Sequence, residues 1–303
     1  MLGGVLSEIN WRMIFFVNLL VGLLALFLLA LFLLTRTRRS PRRADTPFDW
    51  TGQLTAVAAM GGLTYAAIEA GAVGLTAPRV LVALLVAVVA GAGFLIAQAH
   101  GRNPMVPLPL LRERTMAISA SIGFALNVGF YGMIFLLSLD LQQEHGLSPL
   151  ATGLAFLPMT LLTAFVSPTA AWSARKFGPR MPVITGQLAM ATGLMLLCIP
   201  RASAPTWLMV LLMIPVGTGG GLAVPAVTSL LLDRVPAERA GTASGVLNSA
   251  RQVGGALAVA GFGALVARHA TFFHSLRTRR LTAAGLVLLT TAAGLLLRPA
   301  PRQ

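Results

Sequence analysis

Residues 13–34, MIFFVNLLVGLLALFLLALFLL, form an apolar run in which Asn18 is the only strongly polar side chain. As an α-helix this run would extend about 33 Å. The hydrocarbon core of a bilayer is about 30 Å thick, so a helix of this length crosses it. The run therefore predicts a transmembrane helix.

The rest of the chain has the same character. Only 11% of its 303 residues are charged and 56% are hydrophobic, whereas a soluble domain keeps roughly a quarter of its residues charged. Turn and breaker residues separate eight further apolar runs, at residues 51–70, 79–99, 116–140, 150–172, 182–199, 206–231, 241–267 and 281–297. We predict an all-α, polytopic membrane protein of about nine transmembrane helices.

Arginine is distributed unevenly between the connectors. Alternate connectors form two sets with 15 and seven Arg or Lys residues, and the richer set includes residues 36–43. Cationic loops stay in the cytoplasm, which predicts an outer N-terminus and a cytoplasmic C-terminus. The last connector runs against this rule, and we expect its Arg279 and Arg280 to snorkel from the final helix. A single Lys beside abundant Arg and Ala is typical of GC-rich bacterial coding, so we predict a multi-pass protein of a bacterial inner (plasma) membrane.

Other classes of function find little support in the sequence. The net charge is +14, but the Arg residues form no basic face interleaved with aromatic residues, which argues against nucleic acid as a partner. The four His residues have no metal-ligand spacing with acids or with the single cysteine, Cys198, and no glycine loop precedes a Lys-Ser or Lys-Thr pair. We expect no metal site, no cofactor and no enzymatic activity.

Several motifs resemble those of one transporter family. They are LGGVLSE at residues 2–8, NWR at 10–12, IFFVN at 14–18, DWTG at 49–52, QQ at 142–143 followed by SP at 148–149, and LNSARQVGG at 247–255. Together they are similar to the fourteen-span drug:proton antiporters of the EmrB/QacA type, within the major facilitator superfamily. The resemblance implies secondary active export of a drug or antibiotic in exchange for protons, by alternating access. Its implied partners are the lipid bilayer, a small amphipathic substrate and protons.

The same resemblance implies a division of the chain. Residues 1–34 would supply the tail of helix five and helix six, residues 35–49 a basic cytoplasmic loop, residues 50–115 two central linker helices and a connector, and residues 116–303 the complete C-terminal six-helix bundle. Helices one to four, with the main coupling carboxylates of the family, would be missing. We therefore expect the chain alone to be unable to complete antiport. Two alternatives stay open: a nonfunctional fragment, and a membrane partner subunit without transport of its own.

Arg251 is the charge that lies deepest in an apolar run. It sits about ten residues, or about 15 Å, from the cytoplasmic start of its predicted helix. A charge near mid-membrane must face protein or water. With Asn248 one turn before and Gln252 beside it, Arg251 could bind substrate or gate a cavity. The alternative is a structural Arg bonded to carbonyl groups.

Two further groups of residues are candidates on one helix. Asn127, Phe130 and Tyr131 would suit a hydrophobic cavity for amphipathic drugs, or else ordinary helix packing. Asp140 and Glu144, one turn apart near the outer end of the run, could relay a proton. The alternative for these two acids is that they are solvated residues at the mouth of the protein.

The segment RKFGPR at residues 175–180 resembles the cytoplasmic loop motif of the second half of these transporters. Arg175, Gly178 and Arg180 are its candidate residues, and the resemblance implies that Arg locks adjoining helix ends. Arg175 replaces the usual Asp, which removes an acid expected to cap a helix N-terminus. A role in membrane topology needs only the positive charge.

The run of glycines at residues 217, 219, 220 and 221 would let a neighbouring helix approach closely. Such an approach serves a rocking motion or packing alone.

Overall fold

The computed structural model of the protein describes residues 6, 10, 12–36, 49–74, 76–101, 104–200 and 204–268. These residues form ten α-helices and no strand. The helices are α1 (Met13–Arg36), α2 (Trp50–Val73), α3 (Pro78–His100), α4 (Leu108–Arg112), α5 (Arg114–Gln143), α6 (Pro149–Ala155), α7 (Leu157–Phe177), α8 (Arg180–Leu196), α9 (Thr206–Leu232) and α10 (Ala240–Arg268), the last preceded by the 3-10 turn Ala237–Arg239.

Seven of the nine predicted runs coincide with single helices and an eighth, 150–172, with two, so the prediction of an all-α polytopic protein is confirmed. Five segments are long and apolar enough to cross a membrane, namely Phe15–Phe32, Pro78–His100, Arg114–Gln143, Pro149–Phe177 and Thr206–Leu232. Helices α2 and α10 are richer in Gly, Ala, Thr and Gln, and α8 has only 17 residues. The ninth run at residues 281–297, Arg279 and Arg280, and residues 37–48 of the basic loop lie outside the described residues. The number nine stays a prediction.

One predicted helix is divided in the structure. The run 150–172 becomes α6 and α7, which meet at Phe156. Pro158 has no N–H to donate to the carbonyl of Leu154, so the regular hydrogen-bond ladder is interrupted there. Ser148 caps the start of α6, because its Oγ accepts a 3.2 Å hydrogen bond from the backbone N–H of Ala151.

Helix α9 lies at the centre of the bundle, where it packs against α7, α8 and α5, while α5 packs along α10. Glycine permits the closest of these crossings. A Cβ atom on Gly219 would clash with the carbonyl oxygen of Gly186 on α8, and one on Gly254 with the carbonyl oxygen of Phe124 on α5. The packing role predicted for the glycine run is therefore present in the structure.

Helices α2 and α3 form a hairpin that packs against α10. Its two ends and the following connector are joined by hydrogen bonds to Asp49, the N-cap of α2. Asp49 Oδ1 accepts from Gly52 N at 2.7 Å, and Oδ2 accepts from Gln98 Nε2 at 2.7 Å and from Met105 N at 3.2 Å. Gln98, only 3% exposed, accepts from Val106 N at 2.7 Å. We call these residues, Asp49, Gln98, Met105 and Val106, the connector clasp.

Helix α1 has no buried residue between positions 15 and 32. Its apolar side chains point outward on every side, and Phe15, Phe27 and Leu31 are each about half exposed or more. A helix that is apolar all round has lipid or another apolar helix as its environment. This exposure is what the predicted transmembrane character of residues 13–34 requires.

Candidate functional site

A cavity of about 190 Å³ lies between α5, α7, α8, α9 and α10. Four residues singled out from the sequence line it: Asn127, Phe130, Tyr131 and Arg251. We call it the Arg251 cavity. Asn127 of α5 and Arg251 of α10 meet here, although they are 124 residues apart in the sequence. Its other lining residues are Leu126, Thr163, Ser167, Met190, Gly220, Val224 and Pro225.

Arg251 reaches the cavity because α5 and α10 cross at glycines. A Cβ atom on Gly123 would lie 2.9 Å from Cγ of Arg251, so glycine leaves room for the arginine stem. The Nε atom of Arg251 is buried and has no hydrogen-bond partner among the described residues. None of the residues lining the cavity is an acid. The guanidinium group therefore retains an uncommitted donor beside a cavity with aromatic walls.

Asn127 is 6% exposed and fastens the two helices beside the cavity. Its Nδ2 donates a 2.8 Å hydrogen bond to the backbone carbonyl of Arg251. That bond is the packing role predicted as the alternative for Asn127. The oxygen of the same amide is an acceptor, and Asn127 lines the cavity.

Phe130 and Tyr131 form an aromatic wall on α5. Their ring centroids are 5.6 Å apart with an interplanar angle of 86°, an edge-to-face contact. Tyr131 is 44% exposed and packs over Gly255 of α10. Opposite Phe130, a Cβ atom on Gly220 would meet only the Phe130 ring, at 3.9 Å. Because glycine has no side chain, Gly220 leaves the space that forms this part of the cavity.

Sequence reasoning missed two hydroxyl groups of the cavity, both on α7. Thr163 Oγ1 lies 2.9 Å from the carbonyl oxygen of Met159 and 3.0 Å from that of Gly217, and Ser167 Oγ donates to the carbonyl of Thr163 at 2.8 Å. Backbone carbonyls take both hydroxyl protons, so the oxygens are left as acceptors. Their spacing in the sequence could have indicated them, because two hydroxyl side chains four residues apart lie on the same face of a helix.

Asn248 and Gln252 do not line the Arg251 cavity. Both side chains are exposed. They are rotated by roughly 60° and 100° around the helix from Arg251, which places them on another part of the α10 surface. Their predicted role in binding or gating stays a prediction.

Asp140 and Glu144 occupy different environments at the end of α5. Asp140 is 2% exposed, whereas Glu144 is exposed. The alternative of a solvated mouth residue therefore fits Glu144 and is wrong for Asp140, because α5 packs against its neighbours as far as its last turn. The proposed proton relay through the two acids stays a prediction.

His145 was considered in the sequence only as a metal ligand, but it joins two segments. Its Nε2 lies 2.9 Å from the carbonyl oxygen of Ala204 and its Nδ1 lies 3.4 Å from that of Asp140. The bond to Ala204 raises the pKa of His145, against the opposing effect of burial, and the carbonyl of Asp140 and the charges of Asp140 and Glu144 add to the increase. Both neighbours are acceptors, so only the imidazolium ion can donate to the two at once.

The cytoplasmic loop motif turns the chain from α7 to α8. Gly178 ends α7 with φ of +88°, a conformation that glycine adopts readily. Arg175 is exposed, and Arg180 is the first residue of α8. Lys176 lies over the rings of Trp172 and Phe177, 5.0 and 5.3 Å from their centroids. The locking role of Arg175 and Arg180 stays a prediction.

Comparisons with known proteins agree on one class. The sequence profile of the Major Facilitator Superfamily matches residues 1–259. The chain is 34% identical over 267 residues to the multidrug resistance protein Stp of Mycobacterium tuberculosis, a match that covers 88% of this chain and 49% of that protein. It is 32% identical over 267 residues to the tetracenomycin C resistance and export protein of Streptomyces glaucescens, with the same two shares, 88% and 49%.

A third relative is the methylenomycin A resistance protein of Bacillus subtilis, which is 29% identical over 274 residues. That match covers 90% of this chain and 58% of the relative. The chain spans about half the length of the curated relatives it matches.

Proposed function

Because this chain belongs to the Major Facilitator Superfamily, we propose that its Arg251 cavity holds part of an amphipathic drug during drug:proton antiport by alternating access. The superfamily match, the relatives named for drug resistance and the long apolar helices support a multi-pass protein of the bacterial cytoplasmic membrane that exports drugs. The proposal covers drug export itself, the site, the coupling to protons and the conformational cycle. It carries forward the fourteen-span type that the sequence motifs resemble.

The observation that carries the proposal is the buried, uncommitted Nε of Arg251 beside Phe130 and Tyr131. A buried donor without a partner costs free energy, which an acceptor group of a ligand would recover. The aromatic rings would contact the apolar part of the same ligand. The cavity therefore suits an amphipathic molecule that presents a carbonyl, phenolate or carboxylate oxygen to Arg251.

The size of the cavity agrees with a partial role in binding. At about 190 Å³ it is smaller than the roughly 300–1,000 Å³ of drug-sized sites. One substituent of the substrate fits, and the remainder would lie beyond the exposed edge of Tyr131. The relatives named above are named for resistance to or export of antibiotics, which favours an antibiotic as the substrate class.

Proton coupling needs a titratable group, usually a carboxylate within the membrane, and no carboxylate lines the Arg251 cavity. Among the residues that the structure describes, Asp140 is the buried acid. Its place in the last turn of α5, next to His145, makes it the coupling candidate of this chain. Glu144, which is exposed, would exchange protons with water.

A second candidate function is that of a membrane partner subunit that pairs with a separate half-transporter. The observation in its favour is α1, whose apolar residues 15–32 include none that is buried. A third candidate, a nonfunctional fragment, inserts in the membrane without transport.

The test is drug accumulation, with and without a proton gradient, in cells that express either the chain alone, which we expect not to complete antiport, or the chain fused to the part of the Stp protein that the match leaves uncovered. We expect Arg251→Gln to reduce proton-dependent efflux about tenfold or more, the loss expected for one charge-assisted hydrogen bond. The matched control is Arg239→Gln, which removes an exposed charge outside every candidate site and should leave efflux unchanged. Undiminished efflux by Arg251→Gln at equal expression would contradict the site.

The same assay separates the other candidates. Efflux that requires co-expression of a separate half-transporter identifies a partner subunit. A chain that inserts but exports nothing in either setting is a nonfunctional fragment. In both settings, binding of the drug to the purified chain tests the cavity independently of transport. Arg251→Gln should weaken this binding, and Arg239→Gln should not.

A further inference from the structure

A larger cavity lies away from the Arg251 cavity and shares no lining residue with it. Its volume is about 570 Å³, and it is lined by α2, α3, α4, α10 and the connector residues Met105 and Val106. We call it the linker cavity. Nothing in the proposed function uses this space.

Small residues create the linker cavity. On α10, a Cβ atom placed on Gly245 would meet no atom within 4 Å, and on the hairpin a Cβ on Gly91 would only touch Cβ of Ala59, at 4.0 Å. The cavity follows α2 from Gln53 to Met60, a rise of about 10 Å along the helix axis. An elongated apolar space of this kind accommodates part of a hydrocarbon chain.

The polar lining of the cavity consists of uncharged side chains. Gln53 lies in the first turn of α2 and Thr242 in the first turn of α10, at the predicted cytoplasmic side, and Ser249 lies two turns further along α10. The remaining lining residues are apolar or glycine. A ligand would therefore place its polar end at the cytoplasmic side and its apolar end towards mid-membrane.

A second recess, of about 440 Å³, adjoins the linker cavity through the shared residue Leu111. Its walls are apolar except for His100 and Arg112, both of which are exposed at the same predicted cytoplasmic side. No acid lines either recess. The linker cavity and the second recess together thus provide an apolar space and a cationic side chain, Arg112, at the predicted depth of the lipid headgroups.

From this combination we infer that the two recesses form a binding site for one anionic phospholipid of the inner leaflet, with an acyl chain in the linker cavity and the phosphate beside Arg112. The apolar length excludes free phosphate as the ligand, and the cationic end favours an anionic lipid over a neutral one. Membrane lipid is also present around the protein at all times, so it is the apolar ligand most available to a preformed apolar recess.

The connector clasp makes this site rigid before the lipid binds. Hydrogen bonds from Met105 N to Asp49 and from Val106 N to Gln98 fix the part of the connector that forms one wall. A preformed wall lowers the ordering cost of binding. The bound lipid would in turn contact the α2–α3 hairpin and α10 together, and so hold the hairpin against the bundle.

The experiment is native mass spectrometry of the purified full chain in detergent, titrated with phosphatidylglycerol or phosphatidylcholine. We expect one bound phosphatidylglycerol per chain, about fivefold tighter than phosphatidylcholine, the ratio that one cationic side chain near the surface provides. Gly245→Leu should fill the cavity and abolish binding of both lipids. Gly261→Leu is the matched control, because Gly261 is on the same helix, has open space around its Cβ position and lies outside the cavity.

Charge is tested separately. Arg112→Gln should bring the affinity for phosphatidylglycerol down to that for phosphatidylcholine, whereas Arg175→Gln, an exposed Arg elsewhere, should preserve the difference. Circular dichroism checks that each variant keeps its helical content. Equal retention of lipid by Gly245→Leu and Gly261→Leu, or an unchanged lipid preference in Arg112→Gln, would overturn the inference. Binding of an amphipathic drug without phospholipid would overturn it as well, and none of these outcomes depends on transport.

Discussion

The side-chain amide of Asn127 donates a 2.8 Å hydrogen bond to the backbone carbonyl of Arg251. This bond joins α5 to α10 at the wall of the Arg251 cavity and at the residue whose charge we assign to substrate binding. Water is scarce at this depth of a membrane protein, so a polar group without a protein partner is costly. The position of Arg251 thus depends on Asn127.

Replacing Asn127 by Leu should weaken the α5–α10 contact. We expect the free energy of unfolding in detergent to fall by about 1 kcal/mol, the typical upper range for interhelical hydrogen bonds in membrane proteins. The measurement is a denaturation curve in sodium dodecyl sulfate. Asn248→Leu, the same change at an exposed position of α10, is the control, and equal stability of the two variants would show that the bond is unimportant.

Two adjacent glycines of α9 should respond in opposite ways to alanine. A Cβ on Gly219 would clash with the carbonyl of Gly186 and lie 2.6 Å from Met190 N, so Gly219→Ala should destabilise the bundle by about 1–3 kcal/mol. Gly220→Ala meets only Phe130, at 3.9 Å, and should fold normally. Thermal unfolding midpoints compare them, and a Gly220→Ala variant as unstable as Gly219→Ala would contradict the packing described for α9.

The connector clasp should loosen in acid. The hydrogen bond from Gly52 N, with those from Gln98 and Met105, lowers the pKa of Asp49 below its ordinary value of 3.8, despite the opposing effect of burial. The resulting stabilisation is fully present above pH 3.8 and is lost as the pH falls through the lowered pKa of Asp49. The protection factors of the Met105 and Val106 amides against hydrogen exchange should therefore fall in that range.

Asp49→Asn removes the charged acceptor of the clasp. The protection factors of the same two amides should be low in this variant, and acid should lower them no further. The control is Asp233→Asn, which alters an exposed carboxylate outside the clasp. If wild type and Asp49→Asn exchange alike at neutral pH, the clasp does not hold the connector.

The contact between His145 and the segment before α9 should weaken in alkali. The pKa of His145 is raised from 6.5. The stabilisation that this histidine provides is therefore fully present below pH 6.5 and is lost as the pH rises through the raised pKa. His145→Gln should abolish this dependence. The protection factors of the Ala204 and Thr206 amides against hydrogen exchange measure it, with His100→Gln as the control. A pH dependence of these protection factors that survives His145→Gln would exclude this histidine as its source.

Much of the fold could be predicted because its signals are local. Residues 13–34 are apolar for long enough to cross a bilayer, and a helix in lipid satisfies its own backbone hydrogen bonds within one segment. Eight apolar runs were located in this way. The break at Phe156 was missed although Pro158 lies in the run, because membrane helices often continue through proline, as α7 does at Pro168.

The sequence by itself determined that this chain is a bundle of membrane helices and which few polar residues lie inside them. Only the tertiary structure decided that Arg251 shares a cavity with Asn127 and not with Asn248 or Gln252. The reason is geometric, because residues one to three positions apart on a helix face different neighbours. Which neighbour is present depends on where α5 and α10 cross, and glycines 123 and 254 permit that crossing through contacts that no local pattern encodes.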